Sequence, residues 1–190
     1  MIEAGVDEVG RGCLAGPVVA AAVILPNRFR HALLNDSKQV SHLHRQELAA
    51  YIEEKALAWC IAEVDNHEID RINILQATYR AMHKALEGLD IVPEHILVDG
   101  NRFLPYGFIP YTCVIKGDSK YKSIAAASIL AKVHRDRLMQ ELHEEHPSYG
   151  WDRNVGYPTR QHREGIASVG PSHYHRMSFR LLPQVEESFT

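Results

Sequence analysis

Short apolar runs separated by polar and glycine-rich turns dominate much of the chain. Residues 18–25 read V-V-A-A-A-V-I-L between Pro17 and Pro26, a pattern typical of a strand that is buried on both faces. A shorter strand is predicted at 3–9, and a glycine-rich turn separates the two. Further strands are predicted at 59–64, 95–98 and 111–115.

Helical periodicity occupies two intervals between these strands and much of the chain after the last strand. It predicts helices at about 41–57, 74–86, 119–145 and 159–168. Ser41 is a good N-cap for the first helix, Gly88 suits the end of the second, and Pro147 stops the third. Because paired strands come first and then alternate with helices, the pattern predicts an α/β fold with a mixed sheet flanked by helices.

Composition narrows the class of protein. A chain of 190 residues that is 45% hydrophobic can bury one sizeable core, so a single domain is predicted over 1–190, with 148–190 as a C-terminal extension of loops and one helix. The formal charge of −3 leaves no global basic field, so a nucleic acid would be bound by a local patch. Three widely spaced cysteines form no disulfide framework, which indicates a reducing cytoplasm. No apolar run approaches the ~20 residues that span a bilayer, so no membrane association is predicted.

Candidate chemistry lies at the ends of predicted strands. Asp7 and Glu8 lie near the end of the first strand, Asp99 follows I-L-V, and Asp118 follows V-I-K-G. Ligands collect at the carboxyl ends of strands in α/β sheets, and carboxylates gathered there would repel each other. Hard divalent cations relieve such repulsion, because Mg²⁺ and Mn²⁺ prefer oxygen ligands. The alternative is that each acid is an ordinary strand-end or turn residue.

The turn G-V-D-E-V-G-R-G-C-L-A-G at 5–16 combines glycines with two acids. Its glycine spacing is that of a P-loop, but Arg11 and Gly12 stand where lysine and a hydroxyl residue are required. Residues 10–15 match the G-x-G-x-x-A dinucleotide fingerprint, which must open a helix. Here Gly16-Pro17 leads into an apolar strand instead, which argues against a nucleotide-binding oxidoreductase; failure to retain NAD would exclude that class.

A metal resolves the combination of acids and a phosphate-type turn. If Asp7 and Glu8 hold a cation, that cation touches the same phosphate that Arg11 and the backbone of 10–12 hold from the other side. The metal then neutralises a scissile phosphate while the turn positions it. This arrangement predicts two-metal phosphodiester chemistry, in which the ions lie about 3.5–4 Å apart.

Six motifs follow one another along the chain. They are D-E-V-G-R-G-C-L-A-G-P-V (7–18), N-D-S-K (35–38), L-V-D-G-N (97–101), K-G-D-S-K-Y-K-S-I-A-A-A-S-I-L-A-K-V-H-R-D (116–136), G-Y-P-T (156–159) and H-R-M-S-F (175–179). In this order they resemble the ribonuclease HII family over nearly the whole chain. The resemblance implies the ribonuclease H-like α/β fold, a five-stranded mixed sheet flanked by helices with a small helical C-terminal extension.

The resemblance also implies an activity. Members of the family hydrolyse the RNA of RNA–DNA hybrids endonucleolytically and nick duplex DNA 5′ to single embedded ribonucleotides. The products carry 3′-OH and 5′-phosphate ends, and the reaction requires Mg²⁺ or Mn²⁺. We therefore expect RNA–DNA hybrids and ribonucleotide-containing DNA duplexes as substrates.

Site residues are carried over motif by motif. The implied metal carboxylates are Asp7, Glu8, Asp99 and Asp118, with Asp7 bridging the metals. The turn Gly10-Arg11-Gly12 resembles the element that contacts the ribose 2′-OH through backbone groups, and this hydroxyl distinguishes RNA from DNA. Tyr157 matches the tyrosine that stacks on the sugar after the ribonucleotide. Cys13 departs from the proline that bacterial relatives often carry, with little expected effect.

Further positions within the motifs are expected to contact the nucleic acid. Lys38, Lys132 and Arg135 are candidate phosphate contacts, the alternative being solvated surface charge. Asn73 matches a position near the DNA strand, the alternative being a cap or a loop hydrogen bond. A basic face that would make binding salt-sensitive is expected from Arg11, Lys116, Lys120, Lys122, Arg176 and Arg180.

Two other readings of the sequence stay open to test. Twelve histidines include close pairs, but none has H-E-x-x-H or zinc-finger spacing, so surface imidazoles are favoured over a zinc site. A non-catalytic binder of hybrid duplexes is the main competing function, although a binder gains nothing from four converging carboxylates. A monomer is expected. A replication clamp is a possible partner, but the terminal S-F-T offers no obvious clamp-binding peptide.

Overall fold

The computed structural model describes residues 1–31 and 42–183. In these ranges five strands form one sheet: β1 Glu3–Val9, β2 Val18–Ile24, β3 Ala58–Val64, β4 His95–Asp99 and β5 Tyr111–Val114. Their order across the sheet is β3-β2-β1-β4-β5. The pairs β1–β2 and β2–β3 are antiparallel, whereas β1–β4 and β4–β5 are parallel. The mixed five-stranded sheet predicted from the sequence is confirmed, and β1, β4 and β5 end at the same edge.

Six α-helices lie in the described ranges: α1 His42–Lys55, α2 Asn66–Ile72, α3 Ile74–Glu87, α4 Lys122–Glu145, α5 Trp151–Asn154 and α6 Arg160–Val169. The predicted N-cap Ser41 lies outside the described residues. The long helix was predicted from about 119 but begins at Lys122, because Gly117–Ser119 form a 3₁₀ turn. Across the part of the chain that is described, no helix has the length and apolarity needed to cross a membrane.

Helix α2 was not predicted, and its cause is local. Asp65 follows β3 directly and caps the helix by accepting a hydrogen bond from the N–H of Glu68 at 2.7 Å. The sequence N-H-E-I-D-R-I is too short and polar to show an apolar period, and only Asn66 and Ile69 in it are buried. A capping signal is therefore the only sequence indication of this helix.

Every residue of β2 is buried, so the sheet has a core on each face. On one face Ala20 and Ala22 pack with alanines of α3, and on the other Ala21 packs with the A-A-A segment of α4. A Cβ added at Gly5 would lie 2.1 Å from the backbone of Ser123, which shows how closely α4 crosses β1. This contact places the first turn of α4 against the middle of β1.

The C-terminal extension returns to the N-terminal turn. After α4, a 3₁₀ turn at Pro147–Tyr149 leads into α5, and α6 follows close to its predicted position. Ala15 pairs with His175 in an isolated antiparallel bridge. An apolar cluster joins the turn to the extension through Leu14, Ala15, Met139, Leu142, Tyr149, Trp151 and Ile166. The extension is thus packed against the glycine-rich turn that carries candidate site residues.

Candidate active site

The sheet brings acids from separate motifs to one edge. The parallel register of β1 and β4 pairs Val6 with Val98, so Asp7 and Asp99 follow at the same level. The N–H of Gly117 donates to Oδ1 of Asp99 at 2.6 Å, which ties the turn carrying Asp118 to the end of β4. Asp7 is only 6% exposed. The structure therefore gathers the segments of all four predicted carboxylates.

The carboxylates at this edge repel one another, and this repulsion appears in their pKa values. Burial raises the pKa of Asp7 well above its usual range, and the neighbouring charges of Glu8 and Asp99 add to the effect. Burial likewise raises the pKa of Glu8, opposed by the Arg11 guanidinium at 3.3 Å and reinforced by Asp99. The hydroxyl of Ser128, a residue of α4, hydrogen-bonds Asp7 and lowers its pKa in part. The net effect is negative charge that the protein only partly compensates.

The donor set fits a hard divalent cation. One oxygen of Glu8 accepts a hydrogen bond from Arg11 and one of Asp99 accepts from Gly117, and the backbone N–H of Glu8 also lowers the pKa of its own carboxylate. Nowhere in residues 1–31 and 42–183 do three or more His, Cys, Asp or Glu side chains already form a group that could hold a metal. The carboxylates thus lie at one edge of the sheet, but they do not converge closely enough to form a ready-made metal site. This is expected because carboxylates of like charge repel one another. Carboxylate oxygens are the ligands that Mg²⁺ and Mn²⁺ prefer.

The glycine-rich turn lies beside these acids. Gly10 has φ of 92°, and the N–H of Cys13 closes the turn onto the carbonyl of Gly10 at 3.4 Å. Arg11 and Gly12 are exposed, and within the described ranges their backbone N–H groups meet no acceptor. Two donors next to Glu8 are therefore available to a ligand.

Tyr157 flanks the same turn. A Cβ added at Gly12 would lie 3.8 Å from Cε1 of Tyr157, whose ring remains 40% exposed. The thiol of Cys13 is buried beneath this pair, with Sγ 3.6 Å from the carbonyl of Val155. Burial raises the pKa of Tyr157, so the hydroxyl stays protonated at neutral pH. The structure thus brings the Gly10–Gly12 turn and Tyr157 together.

Arg135 does not lie where the sequence indicated. It was expected to contact phosphate, but it is fully buried, and its guanidinium donates to the carbonyls of Val155, Pro17 and Ala15 at 2.6, 3.0 and 3.0 Å. Arg176, expected on a basic face, is buried in the same way. Arginine is rarely buried without an acidic partner, so surface charge was the reasonable expectation from sequence. In this fold the tightly turned loop supplies carbonyl oxygens instead.

The remaining residues predicted to contact nucleic acid have different places in the structure. Lys132 forms an ion pair with Asp136 one turn further along α4, and Asn73 caps α3 by accepting from the N–H groups of Leu75 and Gln76 at 3.0 and 3.1 Å. The capping role was the alternative weighed for Asn73. Lys38 lies outside the described residues. Contacts of these residues with nucleic acid stay predictions.

A cavity of about 380 Å³ extends the site along α3. Besides Glu8, Arg11 and Asp99, its wall contains Asn101 and Arg102, which the sequence analysis did not assign. They directly follow Asp99-Gly100 in the chain, so nearness to a candidate ligand was the available signal. Thr78 and Tyr79 of α3 also line it, and nothing in the sequence pointed to them.

Strand order and the carboxylates at the ends of β1 and β4 define a ribonuclease H-like α/β enzyme. Solved structures share this fold. Ribonuclease H2 from Pyrococcus horikoshii OT3 superposes with a TM-score of 0.78 at 26% identity over 95% of both chains. In the PCNA:RNase HII complex from Archaeoglobus fulgidus, the matching chain gives 0.81 at 28% identity over 100% of both.

Sequence comparison narrows this class to one family. A family model described as Ribonuclease HII matches residues 4–182. Ribonuclease HII from Bacteroides thetaiotaomicron is 59% identical over 96% of this chain and 91% of its own length. The protein from Christiangramia forsetii is 58% identical over 95% and 91%. The chain belongs to the ribonuclease HII family; it is an endoribonuclease for RNA–DNA hybrids, of a family that depends on divalent metal.

Proposed function

We propose that this chain nicks DNA duplexes 5′ to single embedded ribonucleotides in addition to cleaving RNA–DNA hybrids. The observation that carries the proposal is the placement of partly uncompensated carboxylates beside a turn with two N–H groups that lack an acceptor in the described ranges. A site with both features can hold a cation against a phosphate while the N–H groups contact the adjacent sugar. Such nicking would begin the removal of ribonucleotides from DNA during repair.

Asp7, Glu8, Asp99 and Asp118 would hold two Mg²⁺ or Mn²⁺ ions. When bound, such ions supply an activated water and stabilise the leaving oxygen. Asp7 is the most buried of the four and lies beside both Glu8 and Asp99, which favours it as the bridging carboxylate. Ser128 and the N–H of Glu8 orient Asp7 through hydrogen bonds.

Recognition of the ribonucleotide is assigned to the turn and to Tyr157. The N–H groups of Arg11 and Gly12 would meet the 2′-OH, which can accept as well as donate. Tyr157 would stack on the following sugar and so favour an RNA-to-DNA junction, and its ring lies against Gly12. Phosphate contacts would come from Lys38, Lys132 and Arg102, with Asn73 near the DNA strand.

The chain is proposed to act as a monomeric single domain in the cytoplasm. The relative from Archaeoglobus fulgidus forms a complex with PCNA. Residues 184–190 of this chain lie outside the described ranges, and their sequence supplies no argument for a clamp. The proposed reaction needs none.

The first experiment uses a labelled DNA duplex that carries one ribonucleotide, with an all-DNA duplex of the same sequence beside it. Wild type is compared with Asp99→Asn in Mg²⁺, in Mn²⁺ and in EDTA. We expect one metal-dependent nick 5′ to the ribonucleotide, absent in Asp99→Asn and absent on the all-DNA duplex.

Asp90→Asn is the matched control, because Asp90 is exposed and lies before β4, away from the carboxyl end of the strand. It should nick as wild type does. Cleavage of long hybrids without a nick at the single ribonucleotide would restrict the function to hybrids. Duplex binding without any cleavage in either metal would favour a non-catalytic binder.

A further inference from the structure

Arg176 and Arg135 are both buried beneath the glycine-rich turn, and they come from two different segments of the chain. Arg176 follows the bridge of Ala15 with His175, and Arg135 comes from α4. We propose that Arg176, supported by Arg135, is a positioning residue that points the N–H groups of the turn toward the substrate. The inference rests on the proposed contact between these N–H groups and the ribose.

Arg176 binds three carbonyls of the turn at once. Its guanidinium donates to Gly10 at 2.7 Å, to Arg11 at 2.9 Å and to Gly16 at 3.0 Å. The ring of Phe179 covers its Cζ at 5.1 Å. Burial lowers the pKa of Arg176 to about 10, which still leaves the side chain charged at neutral pH. The planar fork of a guanidinium suits donation to several carbonyls at once, whereas an ammonium cannot reproduce this geometry.

Peptide geometry turns this contact into an orientation. In a trans peptide the C=O of one residue and the N–H of the next belong to one plane and point in opposite directions. The two carbonyls held by Arg176, those of Gly10 and Arg11, therefore belong to the peptides that carry the N–H groups of Arg11 and Gly12. Neither of these two N–H groups has an acceptor among the described residues. Holding the carbonyls inward directs these donors outward.

Arg135 fixes the rest of the turn by close packing. A Cβ at Gly10 would lie 2.3 Å from Nε of Arg135, and φ of 92° there already excludes most side chains. A Cβ at Gly156 would lie 2.8 Å from the carbonyl of Ala15, which Arg135 also binds. The glycines thus let the backbone approach the guanidinium directly. One turn is held at both ends by cations.

The acceptors of the two arginines indicate that these side chains orient the turn and do more than hold the protein together. In the described ranges neither arginine forms an ion pair with a carboxylate, and their acceptors are backbone carbonyls. Burying a cation without a counter-charge carries a desolvation cost that apolar packing would avoid. What the guanidinium adds over apolar packing is a fixed direction for each peptide it binds.

The test is Arg176→Lys, with Arg163→Lys as the matched control. Arg163 also donates to backbone carbonyls, those of Leu181 at 2.5 Å and Arg180 at 3.4 Å, but it does not touch the turn. Dissociation constants are measured in EDTA for an RNA–DNA hybrid and an all-DNA duplex of one sequence. The kcat and KM for the hybrid are measured in Mg²⁺.

We expect Arg176→Lys to reduce the preference for the hybrid over DNA by about tenfold, the equivalent of one or two aligned hydrogen bonds. Affinity for the all-DNA duplex should stay unchanged, and Arg163→Lys should keep the wild-type preference. A role in cohesion alone would lower both affinities together with the folded fraction and leave their ratio intact. That result would overturn the inference.

The design separates failure of this inference from failure of the proposed function. If wild type itself shows no preference for the hybrid, the proposed ribose contact is wrong and the inference falls with it. If wild type shows the preference and Arg176→Lys keeps it, only the inference is wrong. Should Arg176→Lys fail to fold, Arg135→Lys is measured in the same way, and an unchanged preference there overturns the inference equally.

Discussion

Two sets of buried charge lie on either side of one turn, and the protein treats them differently. On the sheet side, Asp7 and Glu8 repel each other and Asp99, and burial raises the pKa of both. On the other side, Arg135 and Arg176 each donate to three backbone carbonyls. The acids are left needing a positive partner, whereas the arginines are satisfied by the protein. Incompletely compensated charge marks the place of chemistry, and satisfied charge marks the frame that holds it.

The two sets also differ in origin along the chain. Asp7 and Asp99 are placed by neighbouring parallel strands, so each depends only on where its own strand ends. Arg135 and Arg176 come from α4 and the C-terminal extension, more than a hundred residues from the turn that they hold. The chemistry is encoded locally and its support is encoded at a distance. Removing a charge from the acids should therefore raise the stability of the protein, whereas removing one from the arginines should lower it.

The largest expected effect follows from Asp7→Asn. Cleavage of a hybrid should fall by about a thousandfold, because a metal ligand worth several kcal/mol of transition-state stabilisation is lost. In EDTA the same variant should unfold at a higher temperature than wild type, since one buried charge no longer faces Glu8 and Asp99. Gel-based cleavage and thermal unfolding measure the two effects. A lower unfolding temperature in EDTA would show that the acids do not repel as described.

The next effect in size has the opposite sign and concerns the arginines. Arg135→Met keeps much of the side-chain volume but leaves the carbonyls of Ala15, Pro17 and Val155 without this donor. Three buried carbonyls at about 1–3 kcal/mol each outweigh the desolvation cost of the guanidinium that Met removes, so the free energy of unfolding should fall by about 3 kcal/mol. Urea unfolding gives the value. Stability equal to that of wild type would mean that these carbonyls find other donors, and the contrast with Asp7 would fail.

The smallest expected effect concerns buried bases next to Arg176. His175 lies with Nε2 3.0 Å from Nε2 of His162, and burial, with the neighbouring His162, lowers the pKa of His175 to about 4. Between about pH 6.5 and 4, His175 binds a proton in the unfolded chain but stays neutral in the folded chain. Stability is therefore kept above about pH 6.5 and lost as the pH falls toward 4, by no more than about 3 kcal/mol.

The acids act in the opposite direction in the same experiment. The raised pKa of Asp7 means that the folded chain takes up its proton first, so acidification relieves repulsion there. The loss due to His175 is isolated by subtracting the profile of His175→Gln from that of wild type between pH 7 and 4. A difference that does not change with pH would show that His175 titrates normally. Wild type and Asp7→Asn, compared in the same way, report the contribution of the acids.

Local patterns explain what could be predicted from the sequence. The buried run at 18–25 and the acids after I-L-V predicted the sheet and the position of Asp99, because strand burial and strand ends depend on neighbouring residues. The turn at Gly10–Gly12 was identified from its glycines, and its place beside Glu8 follows from the chain itself. Helix α2 was missed, since a single cap at Asp65 leaves no period to detect.

The amino-acid sequence by itself determined the strands, the mixed α/β class, the strand-end carboxylates and, through its motifs, the family. Only the tertiary structure decided that Arg135 and Arg176 lie inside the protein and that Asn73 caps a helix. The physical reason is that a charged side chain is buried only where other groups satisfy it, and here those groups are backbone carbonyls distant in the sequence. No local pattern records which carbonyls the fold will bring to a guanidinium.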